Sequence, residues 1–407
     1  MTHIDGDRLW QTLMRSAEIG PGLWGGLKRL ALTAEDGAMR DQLRAWGDAA
    51  GLATTIDQSG NMFLRLDGAT EAPPILVGSH LDTQVAGGRF DGVLGVLAGL
   101  EILRTLRDRG HVPARPIEVV NWTNEEGARF SPPMMASAVF AGVHPIEWLH
   151  GRVDDDGIVL RDALEAIGYL GAAPVGKPVD AYFELHIEQG PALWDEGNTV
   201  GLVTGGFAVE GLVVRFRGET AHTGPTPMAQ RRNALVGAAR VAALVDEIGH
   251  RYAPIGKATV ARLTAWPNKP GILSDFAELT LDVRHADKAV SARMLEEVMH
   301  AIAEGARRAR VEPEIVNRWT YGDERFDPSL VALLRTAAAR QGVPAKEMKS
   351  EAGHDAYYLS RVAPTAMLLS PTIDGISHNE GEDVPRAETI AAANVLFEAV
   401  LSRADRT

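Results

Sequence analysis

The stretch Pro74-Ile75-Leu76-Val77-Gly78-Ser79-His80-Leu81-Asp82-Thr83 is a short apolar run that leads directly into residues able to bind a metal. The run Pro74–Gly78 is typical of a buried β-strand, because it is short, apolar and bounded by proline and glycine. Open α/β sheets keep their sites at the carboxyl ends of their strands. We therefore expect a strand that ends at Gly78, with His80 and Asp82 just past its end.

The same arrangement, an apolar run near possible ligands, recurs later in the chain. It is found in Ile117–Trp122 before Glu125 and Glu126, in Ala181–Ile187 around His186, and in Ala366–Ser370 before His378. Helical patterns separate these runs, and one of them, Gly92–Arg107, directly follows Asp91. The alternation predicts an α/β fold with a mostly parallel, helix-flanked sheet.

The middle of the chain follows a different order. Between residues 208 and 323, alternating and helical patterns give β-α-β-β-α-β, the order of a ferredoxin-like unit. We therefore predict a catalytic, metal-binding domain formed by residues 1–207 and 324–407, and an inserted ferredoxin-like α+β domain at residues 208–323.

The composition excludes several classes of function. A formal net charge of -13 provides no basic field for nucleic acid, and the absence of cysteine excludes disulfides, thiolate nucleophiles and cysteine-ligated zinc. A Gly-x-Ser-x-Gly elbow is also missing, which gives a metal-free nucleophilic hydrolase little support. No apolar stretch approaches the length of a membrane span, and Met1–Asp7 does not resemble the start of a secretory signal, so we expect a cytoplasmic protein.

Histidines and carboxylates without cysteine form a ligand set for a borderline divalent metal. Each motif alone also has a plainer explanation. A histidine after a strand is often only packed and hydrogen-bonded, Asp91 could cap the following helix, and Glu125-Glu126 could be a solvated loop. Two features favour a metal site. The Asp82 carboxylate could accept the second ring N–H of His80, and adjacent acids in an extended segment point in different directions, so one can ligate while the other acts as a base.

Seven motifs together resemble the hydantoinase/carbamoylase branch of the metal-dependent aminoacylase/carboxypeptidase superfamily. They are GSHLDT, GRFDG, NEEGARF, ELHIEQGP, AHTGPTPM, AGHDA and ISHNEGED. This branch contains N-carbamoyl-L-amino-acid hydrolases, bacterial β-ureidopropionases and allantoate amidohydrolases. The resemblance extends over nearly the whole chain, including the inserted domain.

The resemblance implies two divalent metal ions, for which Zn²⁺, Mn²⁺, Co²⁺ and Ni²⁺ are equally suitable. The implied ligands are His80, Asp91 and His186 for one ion, and Asp91, Glu126 and His378 for the other. Asp91 would then bridge the two ions. Glu125 would be the general base, and Asp82 would be the partner that orients His80.

The resemblance also implies substrate contacts. His222 would stabilise the oxyanion, and Arg284 would bind the substrate carboxylate. Gln189, Asn268 and His354 match or lie near positions that contact substrate. The inserted domain would close over the metals as a lid and form the contact of a homodimer.

One position departs from the pattern of the branch. An asparagine usually stands thirteen residues before the clamp arginine, and this chain has Gly271 there. Glycine has no side chain to contact the substrate, and the nearby Asn268 is the candidate replacement. The departure concerns the choice of substrate and leaves the metal ligands intact.

The predicted function is cleavage of the C–N bond of N-carbamoyl-L-amino acids by a metal-bridging water, with Glu125 as the base. The products would be the free amino acid and carbamate, which breaks down to carbon dioxide and ammonia. Alternatives on the same scaffold are an allantoate amidohydrolase, a β-ureidopropionase and an N-acyl or conjugate amino-acid amidase. The alternative from a different class is a protein that binds a small anion without cleaving it.

Overall fold

A computed structural model describes residues 3–406. Short apolar runs form the buried central strands of this protein. The strands of the described chain are β1 Ala53–Ile56, β2 Met62–Leu66, β3 Ile75–His80, β4 Ile117–Trp122, β5 Ala181–Ile187, β6 Val200–Gly206, β7 Ala208–Arg217, β8 Lys257–Trp266, β9 Phe276–His285, β10 Glu312–Tyr321, β11 Ala345–Ser350 and β12 Thr365–Ser370. Strand β3 runs two residues further than expected, so His80 is its last residue.

Along the described chain, two helices precede the first strand, one follows the last strand, and the others lie between strands. The helices are α1 Gly6–Ser16, α2 Ala34–Ala49, α3 Val93–Asp108, α4 Met135–Phe140, α5 Ile146–His150, α6 Leu160–Ala166, α7 Ala192–Glu196, α8 Ala234–Tyr252, α9 Lys288–Ala309, α10 Pro328–Arg340, α11 Asp355–Leu359 and α12 Arg386–Ala404. Among the described residues, no helix combines the length and the apolar character needed to cross a bilayer.

The larger sheet has eight strands in the order β1-β2-β4-β3-β5-β12-β6-β11. The four central strands β4, β3, β5 and β12 pair in parallel, whereas β1, β2 and β6 pair antiparallel on the flanks. Every residue of the central strands is buried. Strands that are buried along their whole length have both faces of the sheet covered by other parts of the protein. The parallel strands therefore form the centre of a large α/β sheet.

Helix α3 packs closely on the centre of this sheet, because small residues face the strands. A Cβ added to Gly95 would lie 2.5 Å from the main-chain oxygen of Leu185. Only glycine fits at that distance, and the close packing fixes the start of α3 beside the ends of β3 and β5. The loop that carries Asp91 is held at the same place.

A second, antiparallel sheet has the order β10-β7-β9-β8. Its chain order is strand, helix, strand, strand, helix, strand, from β7 through α8, β8, β9 and α9 to β10. Helices α8 and α9 pack on this sheet through a buried apolar cluster that includes Val214, Val241, Leu279 and Val298. Alternate residues of β9 are buried, as expected of a strand with one covered face.

The chain divides into two compact units. The first holds residues 3–204, 325–348 and 353–406, and the second holds residues 205–324 and 349–352. The segment 349–352, which the sequence placed with the catalytic domain, is therefore grouped with the inserted region. A role of the second unit as a lid stays a prediction.

Candidate metal centre

Four central strands deliver polar side chains to one edge of the large sheet. His80 ends β3, His186 lies one residue before the end of β5, and Glu125 and Glu126 follow β4 by a few residues. His378 lies on the loop after β12. Because these strands are parallel, their carboxyl ends meet at the same edge, and residues distant in sequence come together there.

The first ligand group consists of His80, Asp91 and His186, all of them buried. Each offers one ligand atom, and these atoms lie within 4.8 Å of one another. His186 Nε2 lies 3.2 Å from Asp91 Oδ1. The group thus gathers two imidazoles and one carboxylate around a single point.

The second ligand group consists of Asp91, Glu126 and His378. His378 Nε2 lies 3.2 Å from Asp91 Oδ2 and 3.4 Å from Glu126 Oε2. Asp91 therefore belongs to both groups, and its two oxygens face different histidines. It does not cap α3 through its side chain, because Gly92 is the N-cap residue and makes no side-chain cap.

The hydrogen bonds of two histidines fix which ring nitrogen can ligate. His80 Nδ1 lies 2.8 Å from the main-chain oxygen of Asp82, and His186 Nδ1 lies 3.0 Å from that of Ile187. A carbonyl oxygen can only accept, so Nδ1 carries the proton in both rings. Nε2 is then the nitrogen that points its lone pair into the ligand group.

The role expected of the Asp82 carboxylate requires correction. The main-chain oxygen of Asp82 accepts the ring N–H of His80, while the carboxylate oxygen lies 3.9 Å from the ring nitrogen. The carboxylate instead accepts the main-chain N–H groups of Glu125 and Glu126, at 3.2 and 3.3 Å. Asp82 thus holds the glutamate pair through its side chain and His80 through its backbone.

The two glutamates face different partners. Glu125 Oε2 lies 3.5 Å from His80 Nε2, whereas Glu126 Oε2 accepts a hydrogen bond from Gln84 Nε2 at 2.9 Å and lies beside His378. Burial, and then the charge of Asp355 and other nearby carboxylates, raises the pKa of Glu125 well above its ordinary value. Burial and the neighbouring carboxylates thus disfavour the ionised form of Glu125.

The backbone at the site adopts strained conformations. Asn124, Gln189 and His378 all have positive φ, at 56°, 63° and 51°. Such conformations are uncommon for residues other than glycine, and they concentrate where the surrounding structure holds them for function. The Asn124 side chain stabilises its own turn by donating to the main-chain oxygen of Phe130 at 2.8 Å.

The motif ISHNEGED contains Glu382, for which the sequence indicates no role. Glu382 Oε1 accepts the main-chain N–H groups of Phe90 and Asp91, at 3.0 and 3.1 Å, and Oε2 accepts the Ser377 hydroxyl at 2.8 Å. It therefore ties the Asp91 loop to the His378 loop. Burial, and then the charge of Asp91, raises its pKa to about 7. Its closeness to a ligand histidine in the sequence was the available signal.

The sequence likewise indicates no role for Glu184, which lies in the motif ELHIEQGP. Its carboxylate accepts hydrogen bonds from Ser79 Oγ at 2.7 Å, Tyr182 Oη at 3.0 Å and the main-chain nitrogen of Ala356 at 3.1 Å. Together with His186 and His354 it forms a third group of possible ligands. Because its oxygens already accept three hydrogen bonds, we assign Glu184 to bracing β3, β5 and α11.

Two of the expected substrate contacts lie beside the ligand groups. Gln189 Nε2 lies 3.3 and 3.2 Å from the two oxygens of Asp91. The ring of His354 is buried and stands edge-on against His186, with the centroids 4.6 Å apart. Both residues therefore contact the ligand groups directly, and a contact with substrate stays a prediction.

The other expected substrate residues belong to the second unit. His222 is exposed, and its Nδ1 accepts the main-chain N–H of Gly224 at 3.0 Å. Arg284 donates from Nε and Nη2 to the two oxygens of Asp282, at 3.0 and 3.1 Å. Asn268 is exposed, with a φ of 46°. The roles expected of these side chains toward a substrate stay predictions.

The residues present fit divalent cations. Two ligands at about 2.1 Å from one tetrahedral ion stand about 3.4 Å apart, close to the 3.2 and 3.4 Å separations of His378 Nε2 from Asp91 and Glu126. Glu126 Oε1 is buried without a hydrogen-bond partner among the described residues. A buried carboxylate oxygen in that state is costly unless a cation or a proton satisfies it.

The charges of the site also call for cations. Burial alone would lower the pKa of His186 and His378, but the hydrogen bonds and charge of Asp91, with Glu126 also acting on His378, raise both to about 9. Burial, and then Asp91, raises the pKa of Glu126 to about 8. In the absence of metal, protons therefore occupy positions between the ligand atoms that a divalent ion would take.

Histidines and carboxylates gathered at the ends of parallel strands in an open α/β sheet form an arrangement that metal-dependent hydrolases use. The profile of Peptidase family M20/M25/M40 matches residues 76–402. The chain belongs to this family and is a hydrolase of amide C–N bonds.

Three relatives illustrate this membership. An N-carbamoyl-L-amino-acid amidohydrolase of Rhizobium meliloti is 43% identical over 99% of this chain and 97% of its own length. An allantoate amidohydrolase of Escherichia coli (strain K12) is 33% identical over 91% of this chain and 92% of its own. The crystal structure of a hydantoinase/carbamoylase family amidase from Burkholderia vietnamiensis is 46% identical, with a TM-score of 0.96 over 100% of this chain and 98% of that one.

Proposed function

We propose that this protein hydrolyses N-carbamoyl-L-amino acids with two divalent metal ions. The observation that carries the proposal is the pair of ligand groups that share Asp91, with Glu125 beside His80. Such a site can hold two cations close together, as hydrolysis of an unreactive C–N bond requires. The 43% identity to a relative named for this activity supports the choice of substrate.

The ions would be held by the two groups named above, His80, Asp91 and His186 for one and Asp91, Glu126 and His378 for the other. When bound, two divalent cations supply Lewis acidity that acidifies the attacking water, polarises the carbamoyl carbonyl and lowers the pKa of Glu125. Zn²⁺, Mn²⁺, Co²⁺ and Ni²⁺ all suit nitrogen and oxygen ligands.

Glu125 takes the proton from the attacking water as the oxygen adds to the carbamoyl carbon. The C–N bond to the amino acid then breaks, and Glu125 returns the proton to the departing nitrogen. The products are the free amino acid and carbamate, which decomposes to carbon dioxide and ammonia. The Asp82 carboxylate fixes the main chain of Glu125 during both transfers.

His222 stabilises the oxyanion in this proposal. Because Gly224 N–H donates to its Nδ1, the neutral ring carries its proton on Nε2 and can donate a hydrogen bond from there. Arg284 binds the substrate carboxylate with a guanidinium whose orientation Asp282 fixes. We propose the second unit as the lid that brings both residues to the substrate.

A homodimer and a cytoplasmic location complete the proposal. Strand β8 lies at the edge of its sheet, and most of its residues are exposed. An exposed edge strand offers main-chain groups to another chain, so a second copy pairing there is the proposed contact. Light scattering after size-exclusion chromatography tests the dimer, and a monomer at micromolar concentration would contradict it.

Product release from a substrate panel tests the activity, with ammonia measured for the carbamoyl and ureido compounds and free amino acid measured for the N-acyl amino acids. Purified protein is loaded in turn with each of the four metals and given N-carbamoyl-L-amino acids, allantoate, N-carbamoyl-β-alanine and N-acyl amino acids. We expect the highest kcat/KM on an N-carbamoyl-L-amino acid. Preference for another member would transfer the assignment to an allantoate amidohydrolase, a β-ureidopropionase or an N-acyl amidase.

The Glu125→Gln variant separates catalysis from binding. It keeps the size of the side chain but cannot take a proton, so we expect kcat to fall by roughly 10²–10⁴-fold with the metal content unchanged. If metal-loaded wild type binds N-carbamoyl amino acids without cleaving any of them, and the variant binds equally well, the protein is a small-anion binding protein instead.

A further inference from the structure

Residues 20–27 form a tight loop, the Leu-Trp loop, that presents two large apolar side chains to solvent. Leu23 is 86% exposed and Trp24 is 84% exposed. The main-chain nitrogen of Gly22 donates to the oxygen of Gly26 at 2.8 Å, which closes the loop on itself. Leu23 and Trp24 together form an apolar patch on the surface, and an exposed apolar patch next to a site is typical of a binding surface.

The Leu-Trp loop is tied to the segment that leads to Asp91. Leu27 and Gly87 exchange two main-chain hydrogen bonds, each of 2.9 Å. Gly87 lies four residues before Asp91, the residue common to both ligand groups. This pairing places the base of the loop beside the candidate metal centre.

A single carboxylate ties the tip of the Leu-Trp loop to the segment of His378. Glu380 accepts the main-chain N–H groups of Leu23 at 3.2 Å and Gly26 at 3.3 Å, and also that of Trp24. Glu380 lies two residues after His378. Both oxygens of Glu380 accept main-chain N–H groups, Oε1 from one residue and Oε2 from two, so a single carboxylate holds the loop at three points.

The Leu-Trp loop packs so closely against Glu380 that two of its glycines have no space for a side chain. A Cβ added to Gly26 would lie 2.5 Å from Glu380 Cα, and a Cβ added to Gly22 would lie 2.4 Å from Glu380 Oε2. From these contacts and the 3.8 Å spacing of successive Cα atoms, the Trp24 main chain lies within about 15 Å of His378 Cα. An indole and the side chain of a bound amino acid can together cover that distance.

We propose that Leu23 and Trp24 contact the apolar side chain of the substrate amino acid, which makes the Leu-Trp loop a determinant of substrate choice. The inference rests on the proposed function and adds to it a preference for large apolar side chains. We assign the substrate as the molecule that contacts this loop, because Glu380, whose carboxylate anchors the loop, belongs to the same segment as the proposed ligand His378.

The test compares substrates that differ only in the side chain. The double variant Leu23→Ala/Trp24→Ala, loaded with metal, is assayed on N-carbamoyl-L-phenylalanine and N-carbamoylglycine. We expect the ratio of the two kcat/KM values to fall roughly tenfold, within the 10- to 200-fold discrimination of an apolar pocket. The value for N-carbamoylglycine, which has no side chain to contact the loop, should change by less than about twofold.

Two further variants sharpen the result. Glu380→Gln keeps both apolar side chains but weakens their anchor, so the same ratio should fall by a smaller factor. Val112→Ala is the matched control, because Val112 is 63% exposed and follows α3 at the opposite edge of the sheet. It should leave the ratio unchanged.

An unchanged ratio in the double variant, or an equal loss on both substrates, would overturn the inference. Glu380→Gln keeps it falsifiable if the double variant fails to fold. Wild type that is inactive on every N-carbamoyl amino acid would overturn the proposed function, and this inference with it. Wild-type turnover with an unaltered ratio in both variants would overturn the inference alone.

Discussion

Replacement of Gly92 by alanine should destabilise the protein and displace His80, a proposed metal ligand. Gly92 lies at the centre of a γ-turn, with φ 68° and ψ -44°, and the main-chain nitrogen of Val93 donates to the oxygen of Asp91 at 2.7 Å. A Cβ at Gly92 would lie 2.3 Å from His80 Nε2, the nitrogen assigned to the metal. The side chain would thus enter the space of the ligand itself.

Two costs add in the Gly92→Ala variant. The backbone conformation costs a residue with a Cβ roughly 1–3 kcal/mol. The clash with the buried His80 ring costs a further 1–3 kcal/mol or so, since tightly packed surroundings relax only partly. We expect the free energy of unfolding of the metal-free protein to fall by about 2–6 kcal/mol, and the affinity for the first metal to fall at least tenfold or so.

Gly110→Ala is the matched control. Gly110 also has a positive φ, 62°, but a Cβ there would meet no atom within 4 Å. Urea unfolding of both metal-free variants gives their free energies of unfolding, and the difference between them separates the cost of the clash with His80 from the cost of the backbone conformation. Calorimetric titration with Zn²⁺ or Mn²⁺ measures the effect on metal binding by His80. If Gly92→Ala loses no more stability than Gly110→Ala and binds metal as wild type does, the packing argument is wrong.

Three further predictions concern the buried carboxylates. Glu382→Gln should lower the affinity for the second metal by roughly 10–100-fold with little change in fold, because the amide holds the Asp91 loop less firmly; unchanged metal binding by calorimetry would contradict this. The metal-free protein should be less stable at pH 8 than at pH 6. Folding raises the pKa of Glu126 from 4.5 to about 8 and that of Asp82 from 3.8 to about 7, so each proton stabilises the folded state at low pH, and that stability is lost as the pH rises through these values. Thermal unfolding in a chelator measures the difference, and a higher melting temperature at pH 8 would refute it. Excess Zn²⁺ should remove this dependence of stability on pH, because a cation replaces the protons. The metal-loaded Glu125→Gln variant should melt at or above the wild-type temperature, since burying the ionised Glu125 is unfavourable. A much lower melting temperature would show that Glu125 is structural.

Much of the fold follows from local sequence. The central strands are continuous apolar runs, and two of them, β4 and β5, begin and end where the pattern predicted. The spacing of apolar residues and the turn residues at each end determine such strands locally, so these strands can be predicted without the rest of the chain. The other two central strands differ at their boundaries: β12 begins at Thr365, one residue before the predicted start, and β3 runs from Ile75 to His80, because Ser79 and His80 pair with β4 and extend the strand beyond Gly78.

The amino-acid sequence by itself determined which ligands are available, three histidines and several carboxylates without cysteine, and the strand ends that carry them. Tertiary structure alone decided where each carboxylate points. Glu382 reaches Phe90 across 292 positions, and Asp82 reaches Glu125 across 43. Each of these carboxylates accepts buried main-chain N–H groups that have no partner within the sheet. Such N–H groups become buried, and need an acceptor, only once distant segments of the chain have come together.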